Sequence, residues 1–211
     1  AGTLDVDRHV TPGSGSTLGI EWSGAGVLKV GESLSVAGLQ LRDGAAPLNT
    51  GTIQFDGTVA QNLPALSDAT WNQYNSMTLS GSTKTVGGNL TLNGNLTVSS
   101  GTLNLDDASA RSVSVGGTLT NNATITIDLS GTVLTVNGLF DNIATLNVGP
   151  GTVDQNGAFD GAGGTLNLNT GRIRYGSGTT PVWGTLNEAS GTVEFDGSSS
   201  ATMPADTYFD M

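Results

Sequence analysis

The side chains able to do chemistry in this chain are few. There is one histidine, His9, and no cysteine, against 18 carboxylates and 7 lysines and arginines in 211 residues. Without thiols there are no disulfides, no thiolate zinc sites and no cysteine nucleophile. A lone imidazole is a poor foundation for a Ser-His-Asp triad or a histidine metal site. No cofactor and no metal ligand set is expected. His9 lies in an alternating stretch and reads as a surface residue.

The carboxylates remain. A β-helical lyase or hydrolase clusters Asp or Glu on one sheet face, often with Arg or calcium. Two groups fit that outline: Asp106 with Asp107, and Glu188 with Glu194 near Arg172 and Arg174. The aspartate pair falls in a break between alternating segments and reads as a solvated turn. Arg174 and Glu194 lie 20 residues apart, an interval that recurs below, so a stacked ion pair accounts for them without catalysis. The stretch Gly161-Ala162-Gly163-Gly164 lacks the lysine and the helix of a phosphate loop. The calcium-binding glycine-rich nonapeptide is absent as well. The chain is expected to be non-enzymatic.

Charge excludes more. A net charge of −11 cannot neutralise a phosphodiester backbone, so nucleic acid is not an expected partner. No apolar run reaches the ~18 residues of a membrane-spanning helix. The sequence opens Ala1-Gly2-Thr3-Leu4, without the basic and apolar segments of a signal peptide. An initial Ala suits a mature secreted chain, and an extracellular location is the expectation.

Repetition is the strongest signal. Ser130-Gly131-Thr132-Val133, Pro150-Gly151-Thr152-Val153, Thr170-Gly171-Arg172-Ile173 and Ser190-Gly191-Thr192-Val193 follow one another at 20-residue intervals. Related tetrapeptides stand at Thr50 and Ser100. Between them apolar residues alternate with Thr, Asn, Ser and Asp, as in Leu90/Leu92, Val113/Val115 and Ile125/Ile127. A period of two marks strands with one buried face. Gly, Asn and Ser close each short run as turn residues do.

Short strands at a fixed interval predict an all-β fold, a β-solenoid with ~20-residue coils. A right-handed parallel β-helix is favoured, because the strict six-residue repeat of left-handed forms is missing. Dividing the length by that interval gives about ten coils, and at ~4.8 Å per coil a rod of roughly 50 Å. A narrow core explains the 5% aromatic content. Stacking also disfavours like charges in one column, which accounts for outward Thr, Ser and Asn. Asn93, Asn95, Asn121 and Asn122 are candidates for asparagine stacks along the axis.

A longer similarity spans 140 residues. Gly51-Thr-Ile-Gln-Phe55-Asp56-Gly57 matches Gly191-Thr-Val-Glu-Phe195-Asp196-Gly197, and Tyr74 to Met77 matches Tyr208 to Met211. These units, with Gly88 to Val98 in the coils, resemble repeats of bacterial cell-surface β-helix proteins of the adhesin-like, filamentous-haemagglutinin-like and autotransporter-like kind. The resemblance implies secretion, an extended stalk, and adhesion or assembly. It brings no catalytic residues. It implies other copies of the chain as partners, together with glycans or cell-surface receptors.

Two regions are expected. Residues 1–12 form an N-terminal strand that is either exchanged with a neighbouring subunit or folded back as the first coil. Residues 13–211 form one solenoid. Leu4, Val6 and Val10 at one end, and Tyr208, Phe209 and Met211 at the other, are the expected self-association residues, joined head to tail by strand addition. Asn89, Asn95 and Asn122 head glycan acceptor sequons. Trp22, Trp71 and Trp183 are of a type that stacks on sugars or packs outside the coils. Thr118-Leu-Thr120 and Thr124-Ile-Thr126 hint at the flat threonine arrays of ice-binding solenoids, but by sequence spacing they are too few and out of phase.

Overall fold

The structure is a computed structural model and describes residues 2–10, 18–21, 25–34, 39–42, 50–65 and 74–204. The described residues are all β, with no helix, and wind into a β-solenoid of about seven turns at ~21 residues per turn. Every strand pair is parallel. A first sheet stacks eight strands in chain order: Thr3–Val6, Val27–Val30, Thr52–Phe55, Ser76–Leu79, Leu96–Val98, Leu119–Asn121, Phe140–Asn142 and Phe159–Asp160. A second stacks seven: Gln61–Leu63, Lys84–Val86, Thr102–Asn104, Thr124–Ile127, Thr145–Val148, Thr165–Asn167 and Thr185–Asn187. A third stacks six: Leu90–Leu92, Ser112–Val115, Val133–Val136, Thr152–Gln155, Arg172–Tyr175 and Thr192–Phe195. Two small pairs, His9–Val10 with Ser33–Leu34 and Leu18–Glu21 with Leu39–Arg42, complete the first coils.

The expectation of about ten coils is corrected. The step between stacked residues is 25 from Val27 to Thr52 and 24 from Ile53 to Met77, and falls to 19 only at Phe140 to Phe159. Seven steps of ~4.8 Å make the eight-stranded sheet ~34 Å tall. The 140-residue similarity also behaves unexpectedly. At about 21 residues per turn it is roughly a third of a turn short of a whole number. Thr52–Phe55 accordingly lies in the first sheet and Thr192–Phe195 in the third.

Residues 3–10 are not detached. Thr3–Val6 caps the first sheet of its own chain, with Leu4 over Leu28 and Val6 over Val30. Asp5 and Lys29 face each other in the same register at 3.6 Å. The first coil thus begins within the expected exchange segment.

The core is a set of aliphatic columns. In the second sheet Leu103, Ile125, Leu146 and Leu166 stack directly and are at most 1% exposed. In the third, Leu90, Val113, Leu134, Val153 and Ile173 do the same. Turns close around glycine. Gly101 has φ +80°, and a Cβ there would lie 2.3 Å from the Gly81 carbonyl oxygen of the coil below. Both the dihedral and the close approach require glycine. Asparagine ladders follow the axis as expected: Asn121 Nδ2 donates to Asn142 Oδ1 at 2.7 Å inside the core, and both residues are fully buried.

Polar groups interrupt the core near its N-terminal end. Gln61 and Lys84 occupy the column that Leu103 continues. Lys84 is 1% exposed, and its Nζ donates to the carbonyls of Gly57 and Ser82 at 3.1 Å each. Desolvation pushes its pKa down, partly opposed by Asp56. The hydroxyl of Tyr74 donates to the Pro64 carbonyl at 2.9 Å, and burial pushes that phenol up and out of the physiological range.

Candidate functional site

The chemistry-bearing residues do not converge. Asp106 is 1% exposed, and its Oδ2 accepts the N–H groups of Asp128 and Leu129 at 3.0 and 3.1 Å. It ties one turn to the next coil. Asp107 is desolvated slightly, which opposes ionisation. The Arg111 guanidinium at 2.8 Å and the Ser109 N–H outweigh this and hold its carboxyl below the usual range. Arg172, Arg174 and Glu194 form the stacked ladder that their spacing predicts: Arg174 sits in register over Asp154 and under Glu194. Its contacts are 3.9 Å to Asp154, 3.6 Å to Glu194 and 2.6 Å to Asp196, and Arg172 reaches Glu194 at 3.5 Å. The cations and carboxylates of this face are engaged with each other. The Glu188 carbonyl accepts the Gly191 N–H in the turn that precedes this strand.

His9 sits at the N-terminal rim. Its Nδ1 meets Ser33 Oγ at 2.7 Å and its Nε2 meets Glu32 at 2.9 Å, while Arg8 lies 3.4 Å from the same Glu32. Among the described residues no three His, Asp or Glu side chains gather into a metal-ligand set. None of the described elements is a helix long and apolar enough to cross a membrane.

Trp183 is 2% exposed and does not offer a sugar platform. It sits within a stacked aromatic core, 5.2 Å from Phe159 and 5.8 Å from Tyr175 by ring centroids. Trp22 and Trp71 lie outside the described residues. Asn89, Asn95 and Asn122 are all exposed. The side-chain carbonyls of Asn89 and Asn95 accept the N–H groups of Ser112 and Thr118 in the next coil, at 2.9 and 2.8 Å.

Two features of the molecule are organised. The first is its rims. At the N-terminal rim Leu4 is 62% exposed although Leu28 beneath it is buried, and Val6 and Val10 are half-buried. At the other rim Leu186, Val193 and Phe195 are half-buried above the fully buried Leu166, Ile173 and Tyr175. Tyr208, Phe209 and Met211 lie outside the described residues.

The second feature is the outer face of the second sheet. Thr102, Thr124, Thr145, Thr165 and Thr185 stack in unbroken register over five coils. Two residues along each strand, Asn104, Thr126, Asn147, Asn167 and Asn187 form a parallel column. Asn62 and Thr85 extend that column by two coils. Asn187 Nδ2 donates to Asn167 Oδ1 at 2.7 Å, and Asn167 Nδ2 to Asn147 Oδ1 at 2.8 Å. None of these positions is charged, whereas the first sheet turns Asp5, Lys29, Asp141 and Asp160 outward. The expectation that the Thr pairs are out of phase is corrected: Thr124 and Thr126 belong to this array, and Thr118-Leu-Thr120 runs along the first sheet instead. No protein-family model, curated protein or solved structure matches the chain.

Proposed function

We propose that the chain is a non-enzymatic structural protein of the cell exterior, a rod segment of a filament or adhesin stalk that extends head to tail by β-strand addition. The observation that supports this is the state of the rims. Thr3–Val6 pairs on one edge only among the described residues, and Leu4 continues a core column into solvent. An open parallel edge with apolar side chains favours another strand. Burying one such leucine contributes about 1.5–3 kcal/mol. The stacked coils supply a continuous hydrogen-bond ladder, which carries load along the axis. The same rims fit a stalk segment inside a longer surface adhesin, whose neighbouring coils come from one polypeptide. Glycans or receptors are then partners of the stalk as a whole.

Sedimentation velocity and negative-stain electron microscopy of the purified chain test the assembly. End-to-end rods that lengthen with concentration, and that shorten to single units in Leu4→Asp, are the expected result. A single monomeric species at every concentration overturns self-assembly and leaves the stalk-segment reading.

A further inference from the structure

We propose that the outer face of the second sheet binds ice. The face repeats in two directions: ~4.8 Å from coil to coil, and ~6.6 Å between the two columns, which are two residues apart on each strand. Its hydroxyls, methyls and amides recur at the same places in five successive coils. The amide ladder through Asn147, Asn167 and Asn187 fixes one column, so little ordering remains to be done on binding.

Other occupants fit less well. A small ligand requires a concavity, and a sheet face offers none. A charged polymer finds no counter-charge in either column. A protein partner is held by a buried apolar centre, and here each methyl is flanked by a hydroxyl or an amide. A neutral crystalline polysaccharide is gripped by aromatic platforms, yet both columns are free of rings, and Trp183 and Tyr175 point into the core. Water ordered in a lattice is neutral, repeats in two dimensions, and hydrogen-bonds to hydroxyl and amide alike. Threonine methyls between the polar groups exclude mobile water from the gaps.

Partition of the purified chain into slowly growing polycrystalline ice tests the proposal. The wild-type chain is expected to enter the ice. Thr145→Lys and Asn147→Lys, each at the centre of the face, are expected to be excluded like a non-binding control protein. Thr135→Lys, outward on the third sheet, is expected to enter as wild type does. Far-UV circular dichroism establishes that each variant is folded, and either central variant suffices if the other does not fold. Exclusion of the wild-type chain overturns the proposal, as does entry of both folded central variants. Retention of the wild type on crystalline cellulose but not in ice overturns it in favour of a polysaccharide lattice.

Discussion

The second and third sheets are built on the same plan and differ only outside. Inward, both stack branched aliphatics in register, Leu146 over Ile125 in one and Leu134 over Val113 in the other. Outward, one carries Thr and Asn alone, while the other ends in Asp154, Arg174 and Glu194. The difference teaches that the inner columns hold the coils and the outer columns are free to vary. Stacking then magnifies each outer choice, because neighbours along the axis are ~4.8 Å apart. Opposite charges form a ladder there, and uncharged residues form a lattice.

If the inner columns are equivalent, Leu146→Ala and Leu134→Ala are each expected to lower stability by about 2–5 kcal/mol, because both leave a cavity in a fully buried column. Chemical denaturation of the two variants checks this. A large cost in one sheet and a negligible cost in the other breaks the equivalence.

The polar interruption of the second sheet provides a smaller test. Lys84 is buried with a depressed pKa, so the unfolded chain binds its proton more tightly than the folded chain. Stability is therefore expected to rise with pH from the depressed folded value up to the ordinary lysine value. Lys84→Met is expected to flatten that slope in denaturation curves taken across the alkaline range. An unchanged slope in the variant assigns the pH dependence to other groups.

The outer faces supply the smallest effects. Arg174 is 39% exposed, and Arg174→Ala is expected to cost no more than about 1 kcal/mol, with the difference shrinking as salt is added. Thr145→Ser on the second sheet is expected to change stability by less than about 0.5 kcal/mol and to be insensitive to salt. Thermal melts at low and high ionic strength separate the two.

Much of this plan was legible in the residues. The alternation of Leu90/Leu92 and Ile125/Ile127 reports the core columns directly, and the interval from Arg174 to Glu194 reports their stacking. The coil count was not legible, because the first coils carry longer turns without the tetrapeptide that marks the later ones. The threonine lattice was hidden for a related reason. Its members are 22, 21, 20 and 20 residues apart, from Thr102 to Thr185. Counting residues puts them out of phase, but turns of unequal length absorb the difference and the strands stay in register. The placement of Trp183 was missed because an aromatic stack in so narrow a core has no periodic signature. The ladder of Asn147, Asn167 and Asn187 was visible only as composition, since amides announce a stack only once the register is known.

The register of the coils is the claim on which both faces and both rims depend, and the absence of native cysteine makes it directly measurable. Thr145→Cys with Thr165→Cys places two thiols on neighbouring coils of one column, about 5 Å apart between Cα atoms and within disulfide range. Mild oxidation is expected to close an intrachain bridge in that pair and to leave Thr135→Cys with Thr165→Cys, on different sheets, unbridged. Free thiols in the first pair, or a bridge in the second, would contradict the stacked-coil architecture.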